Sequence, residues 1–154
     1  MSVHEYHFQI DLADETGTRI PAILDCEAKY WNEGNFTRRS CTIHLEFKDE
    51  QMAATDRDFF EALCSLREKL AKHGLSPLCY GASRNVFPSG MLRDMGNALR
   101  AYRLRMGHRG NAGIVRIFDS GDDLDIVSVE TQRQFHKEWL QSFGNAIEQI
   151  VGEG

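Results

Sequence analysis

SVHEYHFQIDLADETGTRIPAIL, residues 2–24, decides the fold class. His4, Tyr6, Phe8, Ile10 and Leu12 alternate with Val3, Glu5, His7, Gln9 and Asp11. A period of two sends successive side chains to opposite faces, so the segment reads as a strand buried on one side. Asp14-Glu15-Thr16-Gly17 follows as a tight turn. Arg19 to Leu24 then resumes extended structure, with Pro21 marking an edge position or a bulge. Strand, short turn and strand open an antiparallel meander.

Moving outward, Thr42 to Phe47 reads as a third strand with Ile43, Leu45 and Phe47 inward. By their apolar neighbours His4 and His44 are assigned inward and His7 outward. Glu27 to Arg39 reads as a loop carrying two aromatic anchors, Trp31 and Phe36. A helix is expected after Thr55 as N-cap with Asp58 at N3, because Phe59, Leu63, Leu66 and Leu70 make an apolar stripe that Gly74 stops. Leu75 to Tyr80 reads as a short strand. Ser89 is expected to cap a second helix whose stripe is Met91, Met95, Leu99, Tyr102 and Met106. Gly113 to Asp119 reads as a strand, and Asp125 to Val129 as a short strand or extended lead-in. Thr131 and Gln134 fit a capping box for a last helix with Phe135, Trp139, Phe143, Ile147 and Ile150 inward. The expectation is a single α+β domain over 1–154. Its mixed, mostly antiparallel sheet of four to six strands packs against about three helices, with at least one parallel pairing made by a right-handed crossover.

At 154 residues, 42% hydrophobic and 27% charged, the chain has the size and composition of one folded domain. No apolar run reaches the roughly 18 residues of a membrane span, and no basic start precedes an apolar stretch, so a cytoplasmic location is expected. Cys26, Cys41, Cys64 and Cys79 form no C-x-x-C pair and read as buried free thiols. No cofactor or metal is expected; Asp119, Asp122, Asp123 and Asp125 lack the calcium-loop spacing and read as a solvated acidic turn.

From Arg84 to Arg116 the chain carries seven arginines, no lysine and one acid, Asp94, although its net charge is −5. Such a segment in an acidic protein is the natural recognition surface, since guanidinium groups present planar bidentate donors to carboxylates and phosphates. Ser83, Arg84, Ser89, Arg93, Arg100, Arg103 and Arg109 are the candidate partner- or anion-binding residues; no catalytic residue is assigned. Arg93 and Arg100, two helical turns apart, are expected to face solvent together, so replacing both should weaken partner capture without altering thermal stability. The acidic total disfavours a nucleic-acid backbone as target. The reading is a macromolecule-binding protein, regulatory or of the inhibitor or immunity type, with a protein partner; a homodimer is compatible with it. The alternative is a small-molecule enzyme with an anion pocket at the Ser83–Ser89 connection, opened by a helix N-terminus.

Overall fold

The alternation of the N-terminal segment propagates through four consecutive strands. The computed structural model describes the backbone of residues 1–153 and the side chains of residues 1–143. β1 (Ser2–Ala13), β2 (Arg19–Glu33), β3 (Phe36–Phe47) and β4 (Glu50–Asp56) form a meander, and β5 (Ser76–Pro77) returns beside β1. The strand order is β4-β3-β2-β1-β5, antiparallel throughout. The first turn forms as expected: Asp14 Oδ1 accepts from the amides of Thr16 and Thr18, each at 2.9 Å, and Gly17 takes φ +84°.

One face of this sheet is covered by α1 (Phe59–Ala71). Leu12, Leu24, Ile43 and Leu45 meet Phe59, Phe60, Leu63, Leu66 and Leu70 in a fully buried core. Burial of this kind, at about 25 cal/mol per Å² of apolar surface, is the main force holding helix to sheet. All four cysteines are buried and free, as the composition implied.

The first half differs from expectation at three places. Glu27–Arg39 is not a loop: β2 and β3 stay paired out to Glu33 opposite Phe36, and the chain turns at Gly34, φ +64°. Within that segment only Ala28 is buried and residues 31–38 are exposed on both faces, so no inward and outward alternation marks the paired strands. The helix cap is Asp58, not Thr55, whose hydroxyl bonds Thr42 across the β3–β4 pair. His44 lies outward, between inward Ile43 and Leu45, and His4 is exposed because β1 outruns the core at that end.

The second half departs further. α2 is a seven-residue helix, Gly90–Gly96, and the expected stripe dissolves, leaving Met91, Met95 and Met106 exposed. Asn97 and Ala98 both take left-handed backbone, φ 55° and 58°. Tertiary bonds hold Asn97 there: its side chain bonds Tyr30 and Arg39, and its carbonyl accepts from Phe59 N–H at 2.9 Å. Local periodicity is a weak prior against such contacts. The chain continues as β7 (Arg100–Arg103), which lies between β6 (Val86–Phe87) and β8 (Ile114–Arg116) in a second antiparallel sheet. No parallel pairing occurs among the described residues, because two antiparallel sheets replace the expected crossover. Only Ser76–Pro77 of the expected 75–80 strand pairs; Tyr80–Ala82 forms a 3-10 turn. The 113–119 strand pairs only at Ile114–Arg116, and 125–129 contributes one bridge, Ser83 to Ile126.

α3 (Val129–Glu153) begins two residues before Thr131, with Ser128 Oγ accepting from Thr131 N–H at 3.1 Å. Its buried Gln132 donates to the carbonyls of Gly81, Ser83 and Val86 and accepts from Arg67 at 2.6 Å. That network joins α1, α3 and the 81–86 segment. The inward positions expected for Ile147 and Ile150 lie outside the described side chains. The class is α+β, three helices and eight strands in one domain, and no described helix is long and apolar enough to cross a membrane.

Candidate functional site

The arginines of the middle segment do not share one face. Arg93 is only 14% exposed; its Nη1 lies 2.8 Å from Asp58 Oδ2 and 3.1 Å from Glu61 Oε1, with its guanidinium against the rings of Phe60 and Phe87. Arg84 pairs with Asp125 at 2.8 Å. Arg103 pairs with Asp123 and lies over the Tyr80 ring, 5.0 Å from its centroid. The acidic turn thus supplies two of the counter-ions. Among the described residues no group of three His, Cys, Asp or Glu side chains is placed to hold a metal ion.

The Ser83–Ser89 connection is closed in on itself. Ser83 is buried, and its hydroxyl accepts from Asp125 N–H at 2.9 Å. Ser89 caps α2 by accepting from Leu92 N–H at 3.2 Å. Trp31 and Phe36 sit at the far tip of the β2–β3 hairpin, where Phe36 is 67% exposed and stacks near the Arg38 guanidinium. Ser2 of β1 lies opposite Tyr30, so this tip is beyond the end of the core.

Four arginines of the segment have no ion pair among the described residues: Arg100, Arg105, Arg109 and Arg116. Arg105 and Arg109 are exposed on the loop between β7 and β8. Arg100 and Arg116 are different, because β7 pairs with β8 so that these two stand directly opposite each other. Directly opposed residues share a face with Cβ atoms about 5 Å apart, and like charges there repel.

Both line a cleft of about 400 Å³ with Tyr6, His7, Phe8, Leu99 and Phe118. Its apolar wall is well defined: the Phe8 and Phe118 rings lie 5.0 Å apart, and Tyr6 meets Phe59 edge-on. The β8 side is anchored through Ile117, whose N–H donates to Leu99 O at 2.9 Å and whose carbonyl accepts from Gly81 N–H at 2.8 Å. Gly81 permits that approach, since a Cβ there would stand 2.5 Å from Leu63 Cδ2 and 3.1 Å from Ile117 O. At the rim, His7 Nδ1 is 2.6 Å from Asp25 Oδ1.

This arrangement suits an anion with a planar or extended shape: two arginines opposed on neighbouring strands, an aromatic wall beside them, and no carboxylate among the lining residues. Thiolate chemistry at neutral pH is poorly served. Burial pushes the thiols of Cys26 and Cys41 up to about 12 and those of Cys64 and Cys79 up to about 11, so none is a thiolate at neutral pH.

Of the candidate residues, only Arg100 belongs to this cleft. Arg116 belongs to the arginine-rich segment without being singled out, and Tyr6, Phe8, Leu99 and Phe118 were missed, because the β7–β8 register that brings Arg100 to Arg116 has no local signature. Comparison with protein-family models finds no match, and comparison with curated proteins finds none.

Proposed function

We propose that this protein is a binding module, regulatory or of the inhibitor type, that captures another protein through carboxylates seated on Arg100 and Arg116. The observation that carries the reading is the direct opposition of these two residues across β7 and β8, with no ion pair to either among the described residues. The arrangement repels itself when empty and is relieved by a bound carboxylate, so an anionic partner gains from both arginines at once. The chain's net charge of −5 disfavours approach of other acidic faces, which leaves recognition to the local arginines and is a source of specificity.

Affinity capture from native lysate, followed by mass spectrometry, tests this. A partner held by the wild type and by Arg84→Ala should be lost from the Arg100→Ala/Arg116→Ala double variant. Equal recovery by the double variant would sink the reading. Arg93 is unsuitable for that test, because its replacement disturbs the fold.

A further inference from the structure

Along one edge, β1 has no strand partner from Ser2 to Asp11 among the described residues. β2 covers the other side from Ser2 to Ala13 without interruption, whereas β5 covers this side only at Leu12 and Ala13. Asp11 O accepts from Leu78 N–H at 2.8 Å, so the odd-numbered residues turn their backbone groups toward this edge. Val3, Glu5, His7 and Gln9 therefore offer N–H and C=O groups with no strand opposite them among the described residues.

Edges of this length are usually blunted by lysine, proline or a bulge. β1 has none of these before Asp11: its residues 2–13 carry no lysine or proline, and its register with β2 is unbroken. The opposite edge of the sheet, β4, is only seven residues long. The open edge also borders the cleft, which Tyr6, His7 and Phe8 share with Arg100 and Arg116.

Resting on the binding reading above, we infer that the occupant is an extended segment of the partner protein, added antiparallel to β1 with acidic side chains at every second position. Alternation follows from the charges on the two sides of the edge. Side chains on the cleft side would meet Arg100 and Arg116, whereas those on the outer face would pass exposed Glu5. Acids belong on the first side and neutral or basic residues on the second. A second copy of this chain is a poorer occupant. Self-pairing of β1 would bring His4, Tyr6 and Phe8 to the cleft side and no carboxylate, while doubling the arginines.

The probe is a synthetic peptide of about eight residues alternating threonine with glutamate. Saturable binding by fluorescence anisotropy below about 1 mM is expected, with a lysine-for-glutamate peptide failing to bind. In the antiparallel pairing the threonine amides face β1 and the glutamate amides face away. Methylating the threonine amides should therefore weaken binding at least about tenfold, and methylating the glutamate amides should not. Bound peptide should slow amide exchange at Val3, Glu5, His7 and Gln9, and the Arg100→Ala/Arg116→Ala variant should bind at least about tenfold more weakly.

Equal binding of the two methylated peptides overturns strand addition and leaves the carboxylate reading intact. No saturable binding of the glutamate peptide also overturns it, while lysate capture by the double variant separately decides the parent reading. Protection of the same amides in peptide-free protein, with a dimer by light scattering, would assign the edge to a second copy and overturn the inference.

Discussion

Arginine behaves in opposite ways in two regions of this molecule. Where α1 meets α3, Arg67 is 4% exposed and donates to Gln132 Oε1, Val127 O and Gly81 O, while Arg93 is locked to Asp58 and Glu61. On β7 and β8, Arg100 and Arg116 face a cleft and bond nothing among the described residues. The first pair organises the fold and the second is available to something else. Charge density along the chain is therefore not a map of a surface: a guanidinium reports recognition only when the fold leaves it without a partner.

The largest effect expected from breaking this contrast is at Arg93. Replacement by alanine leaves the Asp58 carboxylate, fully buried, without its closest cation, and should cost about 3 kcal/mol in urea unfolding. A loss below about 0.5 kcal/mol would show that Arg93 belongs with the surface group. Arg67→Leu follows at about 2 kcal/mol, because three carbonyl-type acceptors around Gln132 lose a buried donor. Gln132→Leu should be comparable, and the double variant should cost less than the sum because the two share one network.

The buried thiols sharpen the picture from the alkaline side. Their folded values lie above the ordinary 9.0, so the folded state holds the protons that the unfolded chain releases first. This stabilisation is fully present below about pH 9 and is lost as pH rises toward 11–12. Urea midpoints should fall between about pH 9 and 11, and a flat profile would contradict the burial of the cysteines. Smallest of all is Arg100→Ala/Arg116→Ala, whose thermal transition should correspond to a change within about 0.5 kcal/mol. A slight rise would agree with relief of the like-charge contact, and a large fall would place these arginines in the structural group.

The candidate site was legible only in part. Arg100 stood out because of its neighbours in sequence, yet the reason offered for it, a helical face shared with Arg93, does not exist. Asn97 and Ala98 end α2 and put Arg100 on a strand. The helix stripe from Met91 to Met106 was a true periodicity with no packing behind it, since three of its methionines are exposed. Similarly, Glu27–Arg39 looked irregular because the hairpin end, beyond Ala28, is exposed on both faces and carries no alternation.

What the chain alone determined was the β1–β2 pair with its turn, the inward phase of β3 and the first helix. Alternating side chains in residues 3–12, an Asp-to-Gly turn and a four-three-four leucine stripe each rest on interactions within a few residues. The partners of the arginines were decided only by tertiary structure. Arg93 finds Asp58 across 35 positions and Arg84 finds Asp125 across 41, while Arg100 meets Arg116 through strand register. Side chains so distant in sequence are brought together by the packing of whole elements, and no local pattern records which will be neutralised and which left open.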